Sequence, residues 1–156
     1  MLIKDIPRFV ISILICQLAG FIGSFFTVKS VSTWYQALNK PEFTPPSWVF
    51  SPAWITLFLL MGISFYLIWI SKSKDKKMAL NFFLIQLSLN VLWSILFFGL
   101  NSISLALIGI IILLIFIIIT MLKFHRISRT AFYLLVPYLL WVSFATILNI
   151  SLLALN

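Results

Sequence analysis

Apolar positions run along this chain in long blocks that charged residues interrupt only at intervals. Twenty uncharged residues separate Arg8 from Lys29, and 29 separate Glu42 from Lys72. A further 45 run from Met78 to Leu122, and 27 run from Thr130 to the last residue. About 20 apolar residues cross a bilayer as a helix. The 45-residue block is therefore long enough for two spans, and Gly99, Leu100, Asn101 and Ser102 supply a turn near its middle. The pattern predicts helices at 9–28, 50–70, 79–98, 103–122 and 131–153, with a loop at 29–49. Transmembrane β-strands alternate apolar and polar residues, and the unbroken run from Ile110 to Ile119 does not. The expected fold is an all-α integral membrane protein. It is a bundle of five transmembrane helices over 1–156, with a structured loop between helices 1 and 2.

Composition removes the aqueous alternative. The chain is 63% hydrophobic and 9% charged, whereas a soluble domain is about 45–50% apolar and about 25% charged. The few charges also orient the bundle. Lys4, Arg8, Lys72, Lys74, Lys76, Lys77, Lys123, Arg126 and Arg129 fall on one side of five spans, and only Lys29 and Lys40 on the other. The positive-inside rule puts the larger group, and the N-terminus, in the cytoplasm and the C-terminus outside. The net charge of +8 is then topology plus attraction to anionic membrane lipids. Nucleic acid is not an expected partner, because the basic residues are divided among loops rather than gathered with aromatics on one face. The first apolar run is longer than a secretion-signal core and has no small-residue cleavage site, so it counts as a helix. It carries the small pairs Ala19/Gly23 and Gly20/Ser24. Close packing within the bundle is their first reading and a homodimer contact their second.

Much familiar chemistry is missing. The three acids, Asp5, Glu42 and Asp75, lie outside the spans, which argues against an ion-coupled transporter. His125 is the only histidine, expected in a basic loop at 123–129, and Cys16 is the only cysteine, in mid-helix. No intrachain disulfide and no metal site of several Cys or His ligands can be built. No metal or resident cofactor is expected. The sequon at Asn149 lies within the last span and carries no glycosylation meaning.

Aromatic and amide side chains remain, and their spacing is helical. Gln86, Asn90, Trp93 and Phe97 share one face of helix 3. Trp54, Phe58, Met61 and Phe65 form a stripe on helix 2, and Tyr138, Trp141, Ala145 and Asn149 one on helix 5. Two readings stand: packed core, or the walls of one apolar cavity with a few hydrogen-bonding groups, suited to a flat hydrophobic ligand. The loop at 29–49 favours the second. A short helical turn is expected at Trp34–Leu38, and Pro41, Pro45 and Pro46 fix an extended path after it. Pro52 is expected in the first turn of helix 2, where proline is tolerated. Such a loop reads as an ordered lid.

The stretch from Trp34 to Pro46 resembles the W-Y-x-x-L-x-K-P-x-W-x-P-P segment of the TspO/MBR family, and the likeness continues through Trp48, Pro52, Trp54, Met61, Gly62 and Trp69. Gln86–Asn90 with Trp93 and Phe97–Gly99 is similar to the family's third-helix signature, and Pro137–Asn149 to its fifth. The resemblance implies a five-helix bundle, often dimeric, that binds porphyrins or haem-like tetrapyrroles as ligands. It also implies binding of benzodiazepine- and isoquinoline-type compounds. Matched by position, Tyr35 and Pro45 correspond to lid residues. Phe50, Trp54 and Phe58 match the second-helix wall, Asn90 and Trp93 the third, and Trp141 with Ala145 the fifth. Trp54 and Trp141 correspond to the pair that bacterial members associate with light- and oxygen-dependent porphyrin breakdown. Trp34 and Trp48 fall in the lid region and Trp69 at a membrane edge.

Three positions depart from the pattern. Phe43 stands where tryptophan is frequent. Ile95 replaces a common proline, implying a straighter third helix. The segment Leu148–Asn156 lacks the tyrosine and basic residue of a cholesterol motif, so no high-affinity cholesterol site is expected. Three function classes follow: a tetrapyrrole-binding sensor or scavenger, a porphyrin-degrading photo-oxidase, and a carrier or accessory subunit. The abundant Ile, Lys and Asn suggest an AT-rich bacterial genome, and the expected location is a bacterial cell membrane.

Overall fold

A computed structural model describes residues 5–156. Lys4, one of the charges used to orient the chain, lies outside the described residues. Among these residues there are six α-helices and no strand. They are α1 (Ile6–Val31), α2 (Trp34–Ala37), α3 (Ser47–Trp69), α4 (Lys76–Ser94), α5 (Ile103–Ile127) and α6 (Arg129–Leu155). A π-helical turn, Ile95–Gly99, continues α4. Five of these segments are long and apolar enough to cross a membrane: α1, α3, α4 with its π turn, α5 and α6. They pack as a closed ring in the order α1, α3, α6, α5, α4, with α4 returning to α1.

The long helices begin and end where local chemistry stops them. The Asp5 carboxylate caps α1 by accepting the Arg8 amide at 3.1 Å, and Ser102 caps α5 through the Leu105 amide at 3.3 Å. Asn101 takes φ 52° between the π turn and α5, a left-handed conformation that asparagine tolerates better than most residues. Most of the helix ends run a few residues past their expected bounds, although α3 stops at Trp69 and α5 starts at Ile103. Lysine, arginine and histidine continue a helix while their heads reach water. His125 is therefore not in a loop as expected. It lies in the last turn of α5, its ring edge-on to Phe132 at 5.1 Å, and Ser128 alone links α5 to α6. Pro52 is likewise inside α3 rather than in its first turn, because the helix starts at Ser47. The end of the third span that begins at Ile95 is π-helical rather than α-helical. Leu100 N–H reaches Ile95 O at 2.8 Å, an i→i+5 bond that widens the last turn.

Three of the four small residues of α1, Ala19, Gly20 and Gly23, face inward, whereas Ser24 is exposed. A Cβ on Gly23 would lie 3.1 Å from Ser94 Oγ, and one on Gly20 2.6 Å from the Phe58 ring. Two helix backbones come close at Gly62 of α3, where a Cβ would lie 2.9 Å from Ile13 Cα and 3.1 Å from Ser12 O. In lipid such close approach replaces the hydrophobic drive that helices have in water. Below and beside this crossing lies the main core, in which Met61, Phe65, Ile68, Phe83, Leu113 and Leu135 are buried. A smaller cluster of Tyr35, Phe97, Ala106, Leu148 and Leu152 sits under the loop.

Gly62→Ala is expected to cost about 1–3 kcal/mol, since backbone cannot give way as a side chain can. Gly109→Ala, whose Cβ would meet only Leu96 Cδ1 at 3.0 Å, is expected to stay near the parent chain. Thermal unfolding in detergent compares the two.

Candidate ligand cavity

A cavity of about 680 Å³ lies between α1, α3, α4 and α6 in the half of the bundle nearest the 32–46 loop. The volume is within the range of about 300–1,000 Å³ typical of small-molecule sites. Helix α5 contributes no lining residue. It fills the opposite side of the ring with Ile110, Leu113 and Ile117, all buried.

The three aromatic stripes divide between the two readings open to them. Their upper members border the cavity: Trp54 and Phe58 from α3, joined by Phe50 one turn away, Asn90, Trp93 and Phe97 from α4 and its π turn, and Trp141, Ala145 and Asn149 from α6. Their lower members, Met61, Phe65, Gln86 and Tyr138, are buried beneath it. Helix geometry explains the division. Each stripe keeps one azimuth for its whole length, so it crosses from the packed half of the bundle into the open half. Tyr35 also borders the cavity. Pro45 does not; it is half-buried in the loop, and the chain reaches the cavity through Tyr35 and Ser47.

The aromatics form two opposed groups. Trp54 meets Trp141 edge-on at 6.4 Å between centroids and stacks on Phe58 at 5.5 Å. Phe50 meets Trp141 at 6.0 Å. On the other group, Trp93 stacks on Phe97 at 5.4 Å, and Phe97 in turn touches Trp34 and Tyr35. The Trp93 indole N–H donates to Asn149 Oδ1 at 3.4 Å, and Asn149 Nδ2 donates to Ile103 O at 3.1 Å. The indole N–H groups of Trp54 and Trp141 make no hydrogen bond among the described residues. Trp48 points away from the bundle, 74% exposed. Trp69 lies at the other end, under the Arg8 guanidinium at 5.8 Å.

The first helix supplies a wall that aromatic spacing alone does not reveal. Gln17, Gly20, Ser24 and Thr27 of α1 border the cavity. The available signal is polar: 17, 20, 24 and 27 recur at helical spacing in an otherwise apolar span. Gln17 Nε2 ties α1 to α3 by donating to Ile55 O at 3.1 Å. Among the described residues, no Lys, Arg, His, Asp or Glu borders the cavity. Its interior is neutral, and two cations, Lys29 and Lys40, stand at its end of the bundle. Lys40 Nζ lies 4.9 Å over the Tyr35 ring and donates to Gln36 O, while Lys29 Nζ lies 5.0 Å over Phe25. Burial pushes the Tyr35 phenol above the ordinary tyrosine range, which keeps it uncharged.

The loop is held near its middle, at Asn39 and Phe43. Phe43 meets Phe144 edge-on at 6.3 Å. Asn39 and Asn156 exchange two bonds of 2.9 Å each, Asn39 N–H to Asn156 Oδ1 and Asn156 Nδ2 to Asn39 O.

A sequence model described as the TspO/MBR family matches residues 12–155. The chain is 46% identical to the Tryptophan-rich protein TspO of Archaeoglobus fulgidus, over 97% of its own length and 99% of that protein's. It is 44% identical to the Tryptophan-rich protein TspO of Chlorobaculum tepidum, over 98% of each chain. It is 36% identical to the Translocator protein of Homo sapiens, over 85% of its length and 80% of that protein's.

Asn156→Ala removes the paired bonds to Asn39. At about 1 kcal/mol of net stabilisation, backbone amides of 39–46 are expected to exchange roughly fivefold faster, measured by hydrogen–deuterium exchange, with α3 and α4 unchanged.

Proposed function

The chain belongs to the TspO/MBR family, and on that footing we propose that it is a membrane tetrapyrrole-binding protein. It acts as a sensor or scavenger of porphyrin or haem-like molecules, and the same cavity takes benzodiazepine- and isoquinoline-type ligands. The observation that carries this reading is the neutral cavity of about 680 Å³ bordered by Trp54, Trp93 and Trp141. Flat apolar rings gain from aromatic contact beyond the area they bury. The tetrapyrrole is a ligand here, not a resident cofactor. Its carboxylates stay near Lys29 and Lys40, since burying them against an uncharged wall is costly. The bulk of the basic residues, Lys72 to Lys77 and Lys123 to Arg129, face the cytoplasm and anionic lipid, with the N-terminus on that side and the C-terminus outside.

A second reading rests on the 6.4 Å contact between Trp54 and Trp141. Two adjacent indoles beside a bound porphyrin are oxidisable groups within reach of photochemically produced oxygen species. The cavity then degrades porphyrin in light and air, with Trp54 and Trp141 as its catalytic residues.

Protoporphyrin added to detergent-solubilised protein is expected to quench tryptophan fluorescence. Trp141→Ala is expected to weaken affinity about tenfold and Trp69→Ala hardly at all; equal losses would count against a site at Trp141. For the second reading, aerobic illuminated protein is expected to bleach porphyrin faster than the Trp54→Phe/Trp141→Phe double variant. Equal bleaching rates would remove it.

A further inference from the structure

Under the cavity, three side chains from α4 and α6 form a hydrogen-bonded chain. Asn90 Nδ2 donates to Tyr138 Oη at 3.0 Å, and the Tyr138 hydroxyl donates to Gln86 Oε1 at 2.9 Å. Their relative exposures are 4%, 1% and 1%, so all three are buried. Two atoms stand out. Gln86 Nε2 is buried with no acceptor. Asn90 borders the cavity, and its Oδ1 accepts no hydrogen bond among the described residues. Donors thus run from the cavity inward, leaving a carbonyl oxygen at the ligand end and an unmatched NH2 at the blind end.

Each link of this chain reverses without moving its neighbours. A primary amide has nearly the same outline when its oxygen and nitrogen exchange by a half-turn, and a phenol hydroxyl both donates and accepts. With both amides turned, Gln86 Nε2 donates to Tyr138 Oη and Tyr138 donates to Asn90 Oδ1. Asn90 Nδ2 then faces the cavity. Two hydrogen bonds exist in either direction. The buried group left over changes from the Gln86 NH2 to the Gln86 carbonyl, which is the less rarely unsatisfied of the two. Neither direction therefore carries a decisive advantage over the other in the empty protein, and a ligand selects the one that suits it.

We propose that the Gln86–Tyr138–Asn90 chain is a reversible polar contact that lets this one cavity accept flat apolar ligands bearing either an N–H or O–H donor or a carbonyl acceptor. The inference rests on the reading of the cavity as a ligand site and adds what sets its breadth. Asn90 touches the ligand; Tyr138 and Gln86 are positioning residues that act through it.

Carbazole and fluorenone test it, since they share a three-ring outline and differ in offering an N–H donor or a carbonyl acceptor. Both are expected to bind the full chain in detergent, competing with protoporphyrin. Gln86→Met removes the terminal acceptor with little change of shape. The Tyr138 hydroxyl then donates to Asn90, which locks Nδ2 toward the cavity. The carbazole-to-fluorenone affinity ratio is expected to fall about tenfold, a ratio that does not depend on how much of the sample is folded. On the unmodified chain, the fluorenone carbonyl stretch is expected to move to lower frequency on binding, and Asn90→Leu is expected to abolish that shift. This infrared comparison decides the matter if Gln86→Met does not fold. An unchanged ratio in Gln86→Met, or the same carbonyl frequency with and without Asn90, overturns the reversible contact while leaving the ligand cavity intact. Failure of protoporphyrin and both probes to bind the unmodified chain overturns the cavity reading, and this inference with it.

Discussion

The crossing of α1 and α3 at Gly62 governs what the rest of the bundle can be. There the absence of one Cβ lets two backbones touch, with Ile13 Cα and Ser12 O where a side chain would begin. Hydrocarbon gives helices no reason to associate except the contacts they can make at close range, so this crossing ties the first helix to the ring. Two turns along α1, the Phe58 ring lies flat against Gly20, and Gln17 bonds to Ile55 O. Beyond these contacts the large rings of Trp54 and Phe50 stand between the helices. Tight packing at one end and bulky aromatics at the other leave a cavity on the loop side.

The same solvent decides which groups a ligand meets. A bilayer offers no water to satisfy polar atoms. Isolated hydroxyls in the spans, such as Ser12, Thr27, Thr120 and Ser143, therefore bond to carbonyls of their own helices. The larger amides cannot do this and are paired across helices, Asn90 through Tyr138 to Gln86 and Asn149 with Trp93. Among the described residues, the buried side-chain polar atoms left without partners are Tyr35 Oη and Gln86 Nε2. One is on the cavity wall and the other ends a chain that starts there. A neutral, aromatic interior with a few adjustable amides is what these constraints leave.

The spans were legible because charge is excluded from the hydrocarbon and so marks its edges. Their ends were not, because His125 and Arg126 continue α5 as readily as they would form a loop. The stripes on α3, α4 and α6 were legible as faces, and Trp54, Trp93 and Trp141 do border one cavity. Where each stripe passes from core to cavity was not legible, since Met61 and Trp54 repeat at the same helical spacing. The contribution of α1 was obscured by glycines and serines, which read as packing residues and serve also as wall.

By itself the sequence determined five apolar helices, the side on which its cations gather, and the azimuth at which each aromatic lies. These follow from transfer of side chains between water and lipid and from the 3.6-residue turn, both local to each segment. Tertiary structure alone decided the order of helices around the ring, the π turn at Ile95–Gly99 and the depth at which packing gives way to a cavity. It also decided the alignment of Gln86, Tyr138 and Asn90 into one hydrogen-bonded line. The last of these joins residues 52 positions apart, which no local pattern encodes.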